Sequence, residues 1–272
     1  MKQGSKQLGK AFLGLALGLV WLIPFYLMLT NSFKTKQEIF TNPLKFPEAF
    51  TFENYPEAFR QLDFIRTLAN SLLITVSSVI IIVIFSAMAA YALERIKSKF
   101  STITFMVFVA AMLVPFQSVM IPLVALFGKA QMLNQIGIIF MYLGFGGSMS
   151  IFLYHGAMKS IPRALDEAAI IDGASRWQVF WKVIFPMLKP TTVTVAVLNT
   201  MWIWNDYLLP SLVINSPTTQ TIPLKMFFFF GQYTKQWHLA LAGLDIAILP
   251  VIIFYFFMQK QIIKGVADGA VK

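Results

Sequence analysis

Six stretches of this 272-residue chain are apolar over about twenty residues or more: 11–30, 68–93, 102–127, 136–154, 190–214 and 239–258. About twenty such residues in a helix cross the hydrocarbon core of a bilayer. Hydrophobic residues make up 57% of the chain and charged residues only 12%, roughly half the charged share of a soluble domain. That much apolar surface cannot be buried in one soluble core of this size, so the bilayer is the solvent the chain is built for. The expectation is an all-α integral membrane protein of six transmembrane helices, forming a single domain over residues 1–272. With no cysteine, neither a disulfide framework nor a thiolate metal site is available. His155 and His238 lie far apart without ligand spacing, so no metal site and no catalytic residue is expected.

Lys2, Lys6 and Lys10 precede the first apolar run, as in a signal peptide. That run is long enough to span, however, and no small-residue cleavage site follows it, so it reads as an uncleaved first helix. Six spans place both termini on one side. With that side cytoplasmic, the inner segments hold fourteen of the 22 Lys and Arg residues, which supports an N-in, C-in orientation by the positive-inside rule. The net charge of +10 is thereby explained without nucleic acid. Pro24, Pro115, Pro122, Pro210 and Pro250 lie inside runs, where packing can re-satisfy the backbone. Small residues in the second run (Ser86, Ala87, Ala89, Ala90) and the fourth (Gly144, Gly146, Gly147) suggest close helix packing. Residues 31–67, with Pro43, Pro47, Phe50, Phe52, Tyr55 and Phe59, read as an ordered outer cap. Trp21, Tyr26, Tyr142, Tyr154 and Trp237 read as an interfacial belt.

One long inner segment, about 159–189, is polar. Pro162 suits a helix start, and Asp166 and Glu167 suit the positive end of a helix dipole. Gly173 suits a stop or turn, after which Trp177, Phe180 and Trp181 recur at helical spacing. Pro186 and Pro190 are expected to break the chain before the fifth span. The pattern is a helix-turn-helix at the membrane surface. On the residues alone, an amphipathic surface helix and a docking element for a soluble partner are both open.

The spacing Glu167-Ala168-Ala169, three residues, Gly173, nine residues, Val183, one residue, Phe185-Pro186 resembles the EAA loop of permease subunits of ATP-binding-cassette importers. That pattern usually ends Ile-x-Leu-Pro; here Val183 and Phe185 keep the positions apolar. Trp204-Asn205-Asp206-Tyr207 with Pro210, the segment Ala89-Ala90-Tyr91-Ala92-Leu93-Glu94-Arg95 and the tail from Ile263 to Lys272 resemble the carbohydrate branch, the maltose-type inner-membrane permeases. The resemblance implies a type I importer (MetI-like) permease fold in a bacterial cytoplasmic membrane. It implies a multi-pass pore subunit of a sugar uptake system, working with a second permease subunit, two ATPase subunits and an extracytoplasmic sugar-binding protein. Glu167, Ala168, Ala169, Asp172, Gly173, Ala174, Phe185 and Pro186 would then form the ATPase-coupling site. The C-terminal tail, with Lys264 and Lys272, would also reach the ATPase. No Gly-x-x-x-x-Gly-Lys-Ser/Thr loop occurs, so no cofactor is expected on this chain, with ATP and Mg held by the partner ATPase.

Asn199, Trp202, Asn205 and Asp206 are candidates for the translocation path, since a sugar asks for hydroxyl-matching groups and aromatic faces. An ionisable Asp206 inside a span reads as functional. It can equally cap a helix break or bond a neighbouring helix. The rival reading is an ion-coupled secondary carrier using Asp206, but the repeated halves common in such carriers are not visible. An intramembrane enzyme would need a placed acid–base constellation, for which only Asp206 and Asp245 offer themselves.

Overall fold

The computed structural model describes residues 2–231 and 235–270, with side chains over 11–231 and 235–259. The side chains of Lys2, Lys6, Lys10 and Lys264 fall outside that range, and Lys272 lies outside the described residues altogether. In chain order the helices are α1 (Lys2–Ser32), α2 (Lys36–Thr41), α3 (Asn54–Gln61), α4 (Phe64–Arg95), α5 (Lys99–Ala111), α6 (Phe116–Lys129), α7 (Gln135–Met158), α8 (Ala164–Ile171), α9 (Arg176–Met187), α10 (Lys189–Trp204), α11 (Leu208–Val213), α12 (Ile222–Met226) and α13 (Trp237–Ala270). Among the described residues there is no β-strand, only one isolated bridge between Phe230 and Lys235. The all-α expectation agrees with this.

Among the described residues, four helices are long and apolar enough to cross a membrane: Ala11–Ser32 within α1, α4, α7 and Trp237–Gln259 within α13. The count reaches six if two bent pairs each make one span, α5 with α6 at 105° and α9 with α10 at 76°. Two of the expected continuous spans are therefore corrected. The run 102–127 breaks at Met112–Pro115. Pro115 has no N–H to continue the helix and holds extended backbone (φ −68°, ψ 141°) at the start of α6, and the residue before a proline is pushed out of the helical region. The run 190–214 ends as a helix at Trp204, with α11 a separate short piece. The chain also turns at Leu188 rather than at Pro186, which is carried within α9. Residues Val179–Ile184 of α9 form a π-helical stretch, separated by Phe185 from Pro186, which has no N–H to donate.

The chain divides into two compact units. The first is Met1–Phe64 with Lys225–Ile253. Residues 33–63 are ordered in it around Lys34, which is wholly buried. The Lys34 Nζ donates to Asn31 Oδ1 (3.0 Å) and to the carbonyls of Asn42 (2.8 Å) and Pro43 (3.4 Å). Asn54 Nδ2 ties the same turn by donating to the Ser32 and Lys34 carbonyls. Burial lowers the Lys34 pKa below its ordinary value, with Glu38 opposing. Phe33 packs against Phe50, Phe52 and Tyr55 at 5.0–5.6 Å between ring centroids. The Tyr55 hydroxyl lies 2.8 Å from Ser32 Oγ and donates to Asp245 Oδ2 at 2.9 Å. Burial pushes that phenol up to about 12, with Ser32 opposing and Asp245 adding. In the Phe227–Phe230 run, Phe229 is buried beside Gly243, while Phe227 and Phe228 are exposed.

The second unit is Ile65–Leu224 with Phe254–Lys272, and its core carries α4 against α7 and α10. In lipid, apolar side chains gain nothing by meeting each other, so close approach and interhelical hydrogen bonds hold such helices together. Gly146 is where the approach is tightest: an added Cβ would lie 2.4 Å from Asn199 Oδ1 and 2.7 Å from Ile82 Cδ1. Ser86 Oγ donates to the Gly147 carbonyl, and Ala87 and Ala90 are wholly buried. Gly144, by contrast, has open space beside it. Tyr142 and Tyr154 are not interfacial, as expected from sequence, but wholly buried. Each brings its hydroxyl to a polar partner, Tyr142 to Asp206 (2.9 Å) and Tyr154 to Thr192 (3.0 Å).

Candidate functional site

The polar segment between α7 and α10 folds into two short helices with a sharp turn between them. α8 stops at Asp172, and Gly173 follows with φ +86°. The Gly173 N–H donates to the Ile170 carbonyl (3.0 Å) and the Ala174 N–H to the Ala169 carbonyl (2.9 Å). These two bonds are the Schellman closure of a helix C-terminus. A Cβ at Gly173 would meet no atom within 4 Å, so the glycine is required by its backbone angle and not by crowding. α9 then starts on a capping box: Ser175 Oγ accepts from the Gln178 N–H (3.3 Å), and Gln178 Oε1 accepts from the Ser175 N–H (2.8 Å). This cap was not picked out from the sequence, although Ser-x-x-Gln is its signature.

α8 has an inner and an outer face. On the inner face, Asp166 is buried and meets the end of α4. Its Oδ1 accepts from the Tyr91 hydroxyl (2.8 Å) and Arg95 Nε (3.2 Å), and Arg95 Nη2 lies 2.8 Å from its Oδ2. Arg95 also donates to the Ile161 carbonyl, and Arg163 Nη2 returns to the Glu94 carbonyl (2.6 Å). Two arginines and one aspartate thus clamp the start of α8 to the last turn of a membrane-crossing helix. Sequence reading did not separate Asp166 from Glu167, nor assign Tyr91 and Arg95. The one available signal was the Tyr-x-x-x-Arg spacing, which puts both on one face of α4.

On the outer face, Glu167, Ala168, Ile170, Ile171, Asp172 and Gly173 are exposed, Ile171 at 85%. Ala169 and Ala174 are half-buried against the core. A cavity of about 380 Å³ opens between α8 and α9, lined by Ala169, Asp172, Gly173, Ala174, Gln178 and Lys182 among others. Of the expected coupling residues, Glu167 to Ala174 gather around the turn. Phe185 stands apart in an aromatic group with Phe180 (5.8 Å) and Trp181 (5.1 Å), and Pro186 is exposed. Trp177, on the outer side of α9, packs edge-on to Trp181.

The candidate path residues lie at the other end of α10. Asn199 is buried and donates to Ser150 Oγ (3.1 Å) and the Val195 carbonyl (2.9 Å). Asp206 sits in the break after α10. Its Oδ1 accepts from the N–H groups of Leu208 (2.9 Å) and Leu209 (3.4 Å), capping α11, and its Oδ2 accepts from Tyr142. Asn205 donates back to the Met201 carbonyl (2.7 Å) and is otherwise exposed. Trp202 lays one edge on Tyr142 (5.4 Å) with its remaining surface open. Among the described residues, no three His, Asp or Glu side chains are grouped to hold a metal ion.

Residues 82–268 match the family of binding-protein-dependent transport system inner membrane components. The probable starch degradation products transport system permease protein AmyC of Thermoanaerobacterium thermosulfurigenes is 58% identical over 261 residues, 96% of this chain and 95% of that protein. The multiple sugar-binding transport system permease protein MsmG of Streptococcus mutans is 36% identical, covering 94% and 93%. Among solved structures, a bacterial ABC transporter involved in the import of the acidic polysaccharide alginate superimposes with a TM-score of 0.76 at 24% identity, covering 94% of this chain and 97% of that one. That likeness speaks for a shared fold.

Proposed function

The chain belongs to the binding-protein-dependent transport system inner membrane component family, and from that premise we propose that it is the pore-forming permease subunit of an ATP-driven sugar uptake system. The full-length relatives named for starch degradation products, multiple sugars, and melibiose, raffinose and stachyose support a carbohydrate substrate. The observation that carries the coupling assignment is the two-faced α8. Its inner face is clamped to α4 through Asp166 and Arg95, while its outer face presents Glu167, Ala168 and a bare Ile171 to solvent. Leu165, Ile170 and Ile171 are exposed together beside Glu167, and grouped apolar side chains on a surface support a partner-docking reading.

The partner is a cytoplasmic ATPase, one of two, which holds ATP and Mg and receives the α8–Gly173–α9 turn. Closure of the ATPase pair pushes on the turn. The Asp166–Arg95 clamp carries that push into α4, and the pore, completed by a second permease subunit, changes the side to which it opens. An extracytoplasmic sugar-binding protein delivers substrate from the other face. Both termini lie in the cytoplasm of a bacterial inner membrane.

Within the candidate path, Asn199 and Asp206 act as positioning residues, since Asn199 Nδ2 is spent on Ser150 and the Val195 carbonyl and both Asp206 oxygens accept from protein donors. The open face of Trp202 and the exposed Asn205, whose amide nitrogen is held by the Met201 carbonyl, are the groups placed to meet a passing sugar. An ion-coupled carrier would need a carboxylate at Asp206 that exchanges its ligand, whereas this one is engaged by three donors.

The test is co-purification from membranes expressing all subunits. Glu167→Lys should insert and fold normally but recover less than a tenth of the ATPase bound by the wild type, a loss of about 1.4 kcal/mol or more in docking. Wild-type recovery together with ATP-dependent uptake would refute the docking assignment.

A further inference from the structure

In the second unit, a cavity of about 500 Å³ opens where α4 ends, α5 begins and α7 ends. Three ammonium groups line it: Lys97 from the α4–α5 turn, Lys99 from the first residue of α5 and Lys159 just past the end of α7. All three residues are exposed, and none forms an ion pair among the described residues. The other polar groups of the cavity are committed elsewhere. Glu94 faces His155 at 3.3 Å. Ser98 Oγ caps α5 by accepting from the Ser101 N–H, Ser101 Oγ donates to the Leu93 carbonyl, and Thr102 Oγ1 donates to the Ser98 carbonyl. Three ammoniums against the single carboxylate of Glu94 leave the cavity with an excess of positive charge.

The surface next to the cavity is apolar. Phe100, Ile103, Met106 and Val107 are 57–78% exposed, and their spacing puts them along one side of α5. Met106 and Phe105 reach the cavity wall itself. The site therefore joins a cationic rim, at the ends of membrane-crossing helices, to an apolar stripe running along the helix. A sugar or a free anion has no use for the stripe, and a neutral lipid has no use for three ammoniums.

We propose that this cavity binds the anionic headgroup of a glycerophospholipid, with Lys97, Lys99 and Lys159 around the phosphate and an acyl chain along Phe100, Ile103 and Val107. Basic pockets between membrane helices recognise anionic headgroups in this way, at about 1 kcal/mol for each lysine near the surface.

The experiment is native mass spectrometry of the full chain in detergent, titrated with phosphatidylglycerol or with phosphatidylcholine of the same acyl chains. The wild type should retain phosphatidylglycerol in preference. The triple variant K97Q/K99Q/K159Q should bind it about a hundredfold more weakly, at roughly fivefold per lysine, and the triple Lys→Arg variant should keep most of the affinity. Equal retention of the two lipids, or unchanged phosphatidylglycerol binding in the Gln variant, would overturn the proposal. So would displacement of the lipid by millimolar inorganic phosphate, which would mark a site for the free anion. The lipid preference and the phosphate competition are both read on the wild type, so they decide the matter even if the Gln variant fails to fold.

Discussion

Gly173→Val tests whether the turn between α8 and α9 is held by backbone geometry. Gly173 sits at φ +86° with nothing within 4 Å of where a Cβ would be, so the added Cβ itself meets no clash. Its cost comes from the left-handed backbone, about 1–2 kcal/mol for an ordinary L-residue, and more for a β-branched one. The chain can escape the strain by opening the turn. It then gives up the Gly173–Ile170 and Ala174–Ala169 hydrogen bonds, worth about 1 kcal/mol each. Either route costs about 2 kcal/mol, which lowers the population of the closed turn about thirtyfold relative to its open form. Asn at the same position tolerates the left-handed region and should lose only a few tenths of a kcal/mol. Hydrogen exchange at the residue 173 and Ala174 amides reads the closed turn directly, and ATPase co-purification reads its consequence. The expected order of protection is Gly, then Asn, then Val, with Val down about thirtyfold. Equal protection in Val and wild type, or equal loss in Asn and Val, would refute the backbone argument. Lost protection with full ATPase binding would show instead that docking does not need the closed turn.

Asp166→Ala leaves a largely buried Arg95 guanidinium without its carboxylate, which should cost about 3–5 kcal/mol. The thermal midpoint in detergent should fall, and removing Arg95 as well should cost less than the sum of the single changes. Additive losses would show that the two side chains do not act as a pair. Gly146→Ala puts a methyl within 2.4 Å of Asn199 Oδ1 and should destabilise the α7–α10 contact by about 1–3 kcal/mol. Asn199→Ser in the same chain should recover part of that loss, and no recovery would put the strain at Ile82 instead. Asp206→Asn keeps one oxygen for the α11 N–H groups but replaces the oxygen that accepts from Tyr142 with an NH2 donor. A loss of about 1 kcal/mol in thermal stability with unchanged sugar preference is expected, whereas an altered preference in uptake competition would place Asp206 in the path.

The sequence alone was enough for the class and for the position of the turn between α8 and α9. Uninterrupted apolar runs admit helices in a bilayer, and the Glu-Ala-Ala…Gly spacing located the turn that the structure closes at Gly173. Local chemistry sufficed there because a glycine at a helix end acts within a few residues of itself. Tertiary structure decided what the same local signals meant elsewhere. Pro24, Pro115, Pro122 and Pro250 all lie in apolar runs, yet only at Pro115 does a run turn through 105°. Asp166 and Glu167 are adjacent acids in one helical turn. One became an anchor and the other a surface group because Arg95, 71 residues earlier, reaches only the first. Tyr142 and Tyr154 have the composition of interfacial residues, but Asp206 and Thr192 supply hydroxyl partners inside the bundle and make their burial affordable. The physical reason is common to all three cases: a polar or strained group takes the position where a partner satisfies it, and partners distant in sequence meet only once the helices pack.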